Sequence, residues 1–563
     1  MSNHVGPEGN ETSGAVLGRS IGRRTLIRAL ALGGGSLALG ASLIGCSSDA
    51  AGAPSGSSSP GGTGGASTPP AGTGGTSGGA SAPAGGTPTM GGKLTIGIAS
   101  SLADFDPYNH LAVNFPMMAT LYSYLITYDD DYQPHPDLAT KWTIADDHLS
   151  ATITLRDTVF HDGSPVTGQD VVAGITRALD PKLGLSEAAT ASIIKTATAP
   201  DEHTVKLEFT GPTAESRILD FMYWFPVVQA SKNTPEQLKQ TGAGSGPFML
   251  DSYSPGDSLV LKKNPHYYDS PKPYLDELQF RFFDTKDALV SALRGGSVDG
   301  ALAVDARYNN QLKDQYTVVQ GAPGALITLF RLNPLQAPFD NKLVRQAVAR
   351  SIDRERLIKE VQGGLGQPVY TSFPPNSAGF DAALLQKYGF DLDAAKALLE
   401  QSGGGKSAKV IVDSADQATT SALLIIKEDL AKIGFELTLD PMDATTVNAK
   451  YLEGSEQCVI RASSNAYSSP TGITQDSGFR LANNALWKDQ IPQDYQDAIA
   501  ALTAAATPEA VQAATAQLNT VLTDESWAIG MYTQVNLSAM DSKIKGFTRS
   551  PADHPVFTEV YVA

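Results

Sequence analysis

The chain has 563 residues and carries 59 Asp and Glu against 42 Lys and Arg, which gives a formal net charge of −17. At about 150 residues per domain, this length predicts two to four domains and a large core. The acidic balance argues against nucleic acid or an anionic membrane surface as a partner. Two cysteines argue against a disulfide framework and exclude a multi-cysteine metal cluster.

Residues 1–45 are predicted to be a signal peptide. Arg23 and Arg24 precede an uncharged stretch, 29–45, which is short and weakly apolar for a membrane span. This pattern is typical of a twin-arginine signal, although arginine pairs also occur by chance in other secretion signals. Residues 43–46, Leu-Ile-Gly-Cys, resemble the lipobox of bacterial lipoproteins, which predicts cleavage before Cys46 and a lipid on its thiol. The alternative is a signal anchor followed by a chance cysteine.

Residues 46–92 are predicted to be the lipidated cysteine and a disordered tether. The 42 residues from 51 to 92 carry no charge and include 15 Gly and 6 Pro. Such a segment cannot bury enough apolar surface to offset its ordering entropy. As a flexible coil, it would reach about 35–40 Å from the anchor.

Folded structure is predicted to start at Lys93 with half-buried strands. Apolar and polar residues alternate at 93–98, and again at 153–155, 205–209 and 278–282. This period of two is the pattern of a strand with one face in the core and one in water. The first part of the chain is therefore expected to be a strand-rich α+β structure.

The later half is predicted to be richer in helices. Asp340 and Asp353 are candidate N-caps of two helices. Apolar side chains in residues 423–433 recur at spacings of three and four, which indicates one face of a helix. With apolar strands at 410–412 and 435–439 on either side, this is a βαβ-like unit. Two unlike lobes predict a cleft between them, where small ligands commonly bind.

Several stretches, in order along the chain, resemble the extracytoplasmic solute-binding proteins of family 5, the peptide- and nickel-type receptors of ABC importers. The most specific is 155–172, which is close to the family's signature around a His-Asp-Gly-x-Pro turn. The other matching stretches are 91–96, 106–107, 121–129, 244–248, 264–276, 295–299 and 340–354. The resemblance runs from about residue 91 to the C-terminus.

The resemblance implies an α/β (α+β) fold with two lobes, the periplasmic-binding-protein-like fold of type II, with an extra subdomain in the first lobe. The expected segments are 93–135, 245–320 and 530–563 for the first lobe, 136–244 for its subdomain and 321–529 for the second lobe. It further implies a monomeric receptor, held to the outer face of the cell membrane by its lipid alone. This receptor would capture oligopeptides or dipeptides and deliver them to ABC permease subunits that work with a separate ATPase. A nickel chelate, an oligosaccharide or a signalling peptide is the alternative ligand.

A secreted enzyme is the competing class, and the sequence argues against it. The nucleophile-elbow pattern Gly-x-Ser-x-Gly occurs at 18–22 and 75–79, inside the predicted signal and tether, where no strand-to-helix turn is expected. The sequence contains no His-Glu-x-x-His zinc motif and no phosphate-binding loop motif. No cofactor or resident metal is therefore expected, and Cys458 is expected to be a buried strand residue.

The candidate ligand contacts implied by the resemblance are Arg461, Asn465, Tyr467, Tyr108, Trp224 and Arg331. For the aromatic residues among them, packing in the core is the alternative. In peptide-binding relatives, an Asp just before the tyrosine pairs with the α-ammonium group of the peptide, but here Ala466 stands at that place. A desolvated ammonium needs a charged or multiple-acceptor partner. Recognition of a free peptide N-terminus is therefore expected to be weakened or lost.

Overall fold

The computed structural model describes residues 87–109, 114–322, 324–375, 377–464, 467, 469–474 and 490–563. All of them lie in the unit Ala80–Ala563. Cys46, Arg23 and Arg24 lie outside the described residues, as do Asn465, Ala466 and nearly all of the predicted tether.

The chain up to residue 320 builds the subdomain and most of the first lobe. In order, the elements are β1 (Lys93–Ile98), α1 (Phe115–Leu121), β2 (Ile126–Tyr128), β3 (Pro134–Pro136), β4 (Ala139–Ile144), β5 (Ser150–Leu155), α2 (Gly168–Ala178), α3 (Ala188–Ala191), β6 (Ile194–Asp201), β7 (Thr204–Phe209), α4 (Glu215–Trp224), α5 (Pro235–Leu238), β8 (Phe248–Ser254), β9 (Ser258–Lys263), β10 (Glu277–Phe282), α6 (Lys286–Arg294), β11 (Gly300–Asp305), α7 (Asn309–Leu312) and β12 (Thr317–Gln320). Short 3-10 turns occur at Ala230–Lys232 and Ala306–Tyr308.

The second lobe follows. Its elements are β13 (Leu326–Leu332), α8 (Lys342–Arg350), α9 (Arg354–Val361), α10 (Ala383–Tyr388), α11 (Leu392–Ser402), β14 (Ser407–Asp413), α12 (Gln417–Lys432), β15 (Glu436–Met442), α13 (Ala444–Glu453), β16 (Cys458–Ser464), α14 (Pro470–Ile473), α15 (Gln493–Ala504), α16 (Pro508–Glu525) and β17 (Ala528–Gln534). The chain ends with β18 (Asn536–Met540), β19 (Ile544–Lys545), β20 (Thr548–Arg549), β21 (Pro555–Val556) and β22 (Tyr561–Val562).

Two sheets organise the first lobe. Seven strands are ordered β12-β18-β11-β1-β10-β9-β8, and four strands of the subdomain are ordered β4-β5-β7-β6. The predicted strands at 93–98, 153–155, 205–209 and 278–282 are confirmed as β1, β5, β7 and β10. In β10, for example, Leu278, Phe280 and Phe282 are buried while Gln279 and Arg281 between them are half-exposed, which is why the alternation was visible in the sequence.

One five-stranded sheet, ordered β15-β14-β16-β13-β17, organises the second lobe. The predicted βαβ unit is confirmed, since β14 and β15 pair in parallel and α12 connects them. Asp353 caps α9 as predicted, by accepting a hydrogen bond from the backbone N–H of Arg356. The prediction for Asp340 is wrong, because Asn341 is the residue whose side chain caps α8.

Two crossings join the lobes, between β12 and β13 and at Val535 between β17 and β18. Strand β17 pairs with β13 of the second lobe, whereas β18 pairs with β11 and β12 of the first. Residues 530–534 therefore belong to the second-lobe sheet, although the sequence assigned them to the returning first-lobe segment. At the other end, the backbone N–H of Gly91 donates to the Tyr274 carbonyl and the Gly92 carbonyl accepts from the N–H of Asp276, so both glycines, which the sequence placed in the tether, are bonded to the first lobe.

Candidate functional site

A cavity of about 760 Å³ lies between the two lobes. Its first-lobe wall comes from residues 284–287, at the start of α6, and 305–307, at the end of β11. Its second-lobe wall comes from 411–419, where β14 passes into α12, and from 459–462 of β16. The carboxyl ends of strands in an open α/β sheet are a usual place for ligands, and the β14–α12 turn is such an end.

The two cations on the first-lobe wall form ion pairs with aspartates of the same wall. Lys286 forms an ion pair with Asp305. Arg307 lies 3.5 Å from carboxylate oxygens of both Asp287 and Asp305. These cations are therefore already paired with carboxylates of the protein.

Arg461 is the cavity-lining cation of the second-lobe wall. It lies on β16, opposite Leu329 of β13, and is half-buried. Its guanidinium lies 4.7 Å from the ring centre of Tyr451, and its Nη2 donates to Asn448 Oδ1 over 3.3 Å. Among the described residues, no carboxylate forms an ion pair with Arg461. A half-buried guanidinium in this state favours an anionic ligand.

Arg331 is not among the residues that line the cavity. It contacts the same tyrosine as Arg461 does. It lies on β13, diagonally across from Arg461, and its side chain is buried. Its Nη1 donates to the hydroxyl of Tyr451, and its guanidinium lies 5.1 Å from the same ring centre. Tyr451 of α13 thus contacts both arginines and holds the guanidinium of Arg461 in place.

A buried acid, Glu456, lies near these arginines. Burial raises the pKa of Glu456 to about 7, although the charges of Arg331 and Arg461 lower the pKa in part. Its Oε2 has no hydrogen-bond partner. The region around Arg461 is therefore less acidic at neutral pH than its residue types suggest.

Trp224 and Tyr467 meet each other across the lobes. Trp224 ends α4 of the first-lobe subdomain, Tyr467 lies just before α14 of the second lobe, and their ring centres are 5.3 Å apart. Phe115 and His554 also pack against Trp224, with ring centres at 5.2 and 4.8 Å. These two candidates form an aromatic contact between the lobes and are not among the residues that line the 760 Å³ cavity.

The structure places Tyr108 in the core instead of the cleft. Its side chain is fully buried, and its hydroxyl donates to the carbonyl of Pro226 over 3.1 Å. Its ring packs on Phe225, and an added Cβ at Gly174 would lie 2.3 Å from its hydroxyl. Tyr108 therefore fills space between α2 and the segment after α4, which leaves its side chain no exposed surface for a ligand.

Sequence patterns did not predict that residues 284–287 and 305–307 line the cavity together with Arg461, nor that Asp220 pairs with Ser469. Asp416, which caps α12, could have indicated the second-lobe wall of the cavity, because it marks the carboxyl end of β14 in the predicted βαβ unit. Nothing in the sequence pointed to Asp220, which accepts hydrogen bonds from a residue 249 positions away. Cys458 is buried on β16, as predicted, and burial raises the pKa of its thiol.

Comparison with known proteins decides the family. The family model described as bacterial extracellular solute-binding proteins, family 5, middle, matches residues 133–485, which is more than half of the chain. The chain belongs to this family. The family-5 assignment makes it a binding protein of the extracytoplasmic class.

Relatives of this family-5 protein span nearly its whole folded part. The probable D,D-dipeptide-binding periplasmic protein of Escherichia coli K12 is 27% identical over 507 residues, covering 82% of this chain and 93% of its own. An Agrobacterium tumefaciens R10 binding protein solved with agropinic acid has a TM-score of 0.73 at 24% identity, with 84% and 99% coverage. A Helicobacter pylori binding protein solved with the peptide STSA has a TM-score of 0.72 at 20% identity, with 84% and 98% coverage. These two structural likenesses establish the fold.

The described ranges of the family-5 chain contain no helix that is both long and apolar enough to span a bilayer. Within the same ranges, no group of three or more His, Cys, Asp or Glu residues is placed to hold a metal ion.

Proposed function

We propose that this protein is the substrate-binding lipoprotein of an ABC importer and that it captures peptides in the cavity between its lobes. The observation that carries the proposal is Arg461, a cavity-lining guanidinium that forms no ion pair with a carboxylate among the described residues. Every unblocked peptide ends in a carboxylate, a group that an arginine can bind through two parallel charge-assisted hydrogen bonds. The D,D-dipeptide-binding name of the Escherichia coli relative and the peptide in the Helicobacter structure support the same ligand class.

A non-peptide carboxylate ligand is the second candidate. It is favoured by Ala466, which supplies no acid for a peptide ammonium group, and by the agropinic acid in the Agrobacterium structure. Both candidates use the anion site at Arg461, and they differ in whether the ligand also carries a free amino group.

Native mass spectrometry separates the two candidates. The chain carrying Cys46→Ser, which cannot be lipidated, is purified without denaturation from cells grown in peptide-rich medium. A ladder of extra masses that fragment into short peptides is expected. One discrete non-peptide mass would instead favour the second candidate, and fragment spectra would show whether the amino ends are blocked.

We also propose that Cys46 anchors the receptor to the outer face of the cell membrane after export through the twin-arginine route. Cys46→Ser is expected to abolish the incorporation of radiolabelled palmitate into the protein, because the thiol that carries the acyl chains is removed. Changing Arg23 and Arg24 to Lys is expected to block export, whereas a general secretory signal would tolerate lysines. Normal export of the double-Lys variant would contradict the route, and palmitate labelling of Cys46→Ser would contradict the anchor.

A further inference from the structure

Asp220 is a fully buried carboxylate at the contact between the lobes. It lies on α4 of the first-lobe subdomain, and its Oδ2 accepts hydrogen bonds from the backbone N–H of Ser469, over 3.0 Å, and from the Ser469 hydroxyl. Ser469 belongs to the second lobe, where its hydroxyl also caps α14 by accepting from the N–H of Gly472. One carboxylate of the first lobe is thus bonded to the first turn of a second-lobe helix.

The second lobe provides both space and hydrogen-bond donors for this carboxylate. A Cβ added at Gly472 would lie 2.8 Å from Asp220 Oδ2 and also 2.8 Å from Tyr467 Cβ, closer than real Cβ contacts occur, so glycine leaves room both for the carboxylate and for the turn of its own segment. Ser469 supplies two donors to the same oxygen. The contact is therefore a specific fit between the two lobes. Both donors of Ser469 bond to one oxygen of Asp220, and Gly472 leaves space for that oxygen.

The neighbouring contacts lie on the same side of α4. Residues 217, 220 and 224 follow helical spacing, so Arg217, Asp220 and Trp224 share one face. Trp224 packs against Tyr467, and the buried guanidinium of Arg217 is near enough to Asp220 for the two charges to interact. Ala214, just before α4, lies in an apolar cluster with Ile473 of α14.

We propose that Asp220 is a positioning residue that latches the two lobes together without any ligand and so holds the segment of Tyr467 and Ser469 in its binding position. The proposal rests on the proposed capture of a ligand between the lobes, and it adds a contact that favours the form in which the lobes meet (closed) over the form in which they separate (open). When the lobes separate, Asp220 exchanges its two bonds to Ser469 for water, so the contact favours the closed form only if those bonds outweigh the desolvation of the carboxylate.

The latch changes apparent ligand affinity through the population of the closed form. A receptor whose binding-competent form is only partly populated loses affinity in proportion to that fraction. Loss of the latch is expected to lower the ratio of closed to open molecules about tenfold, which corresponds to about 1.4 kcal/mol.

The experiment measures the distance between the lobes with paired spin labels in the full chain, free of ligand. Labels are attached to Lys141→Cys on β4 and Lys427→Cys on α12, both at exposed positions, in a chain carrying Cys46→Ser. Native Cys458 is buried and does not take the label. Pulsed dipolar spectroscopy then reports the fraction of short and long distances for the parent chain and for each variant.

Asp220→Ala is expected to shift the distribution from short to long distances, and Asp220→Asn, which keeps one acceptor, is expected to fall between the two. Asp170→Asn is the matched control, because Asp170 is also a buried first-lobe carboxylate but its hydrogen bonds among the described residues come from Thr167 and Ala230 of its own lobe. Its distribution is expected to match the parent. Thermal unfolding of each variant separates an opened chain from one that fails to fold.

Two results would overturn the latch. In the first, the parent chain is wholly open without ligand. In the second, Asp220→Ala remains as closed as the parent or closes further, which would show that desolvation of the carboxylate outweighs its bonds. Neither result depends on which ligand the receptor carries, so failure of the latch is distinguishable from failure of peptide binding.

Discussion

Arg461→Met gives the most direct test of the anion site. Methionine keeps an unbranched apolar stem against Tyr451 but removes the positive charge and the donors. The change forfeits one cation–π contact at 4.7 Å and one long hydrogen bond to Asn448, at a half-buried position. We expect a fall of about 1–2 kcal/mol in the free energy of unfolding, because each of these contacts is worth about 1 kcal/mol. The variant should therefore fold.

The effect on binding should be larger and should depend on the ligand's carboxylate. A hydrogen bond to a charged group contributes about 1.5–3 kcal/mol. At tenfold in Kd per 1.4 kcal/mol, this corresponds to a loss of about 10- to 150-fold. A ligand that has no carboxylate should bind both proteins with nearly the same Kd.

Calorimetry with a matched ligand pair measures this coupling. The most abundant peptide found by native mass spectrometry is synthesised as the free acid and as the C-terminal amide, and both are titrated into the parent and into Arg461→Met. The parent is expected to prefer the acid by about 10-fold or more, and the variant to lose that preference. Arg307→Met is the control, because Arg307 also lines the cavity but is paired with Asp287 and Asp305. An unchanged acid-to-amide ratio in Arg461→Met would refute the assignment of the anion site.

Three further predictions follow from other parts of the molecule. Arg177→Met leaves the buried carboxylate of Asp106 without its ion pair, so the free energy of unfolding in urea should fall by about 3–5 kcal/mol. Lys93→Met, which removes the exposed ion pair with Glu277, should lower the free energy of unfolding by about 1 kcal/mol or less. Equal losses for Arg177→Met and Lys93→Met would contradict the reasoning. Burial raises the pKa of Glu187 from 4.5 to about 7. Between these pH values the folded chain therefore keeps a proton that the unfolded chain releases. The free energy of unfolding should then fall as the pH rises from about 4.5 to about 7. Glu187→Gln should lose that part of the pH dependence in urea titrations at about pH 5 and pH 7, and parallel curves for variant and parent would refute it. Asn465→Asp supplies the missing acid and should strengthen binding of a free-amino peptide relative to its N-acetylated form. If calorimetry shows that Asn465→Asp changes the Kd of both peptide forms equally, the peptide amino group does not bind at residue 465.

Local patterns in the sequence determined most of the secondary structure. Alternation at 278–282 and helical spacing at 423–433 are properties of one segment and its solvent, so β10 and α12 could be predicted without knowing their neighbours. The cap at Asp353 followed from the same local chemistry. The cap at Asp340 failed because two polar residues stand side by side at the start of α8, and the backbone geometry selects Asn341.

The tertiary structure alone decided where the candidate ligand residues lie. Arg331 and Arg461 come together because β13 and β16, which are far apart in sequence, pair in the second-lobe sheet and bring both side chains to Tyr451. Tyr108, which the sequence could place in either the cleft or the core, is in the core because α2 carries a glycine where its hydroxyl needs space. Asp220 and Ser469 are 249 residues apart, and no local pattern relates them. Burial and pairing depend on the whole surface that folding assembles, whereas periodicity and capping depend on a few adjacent residues.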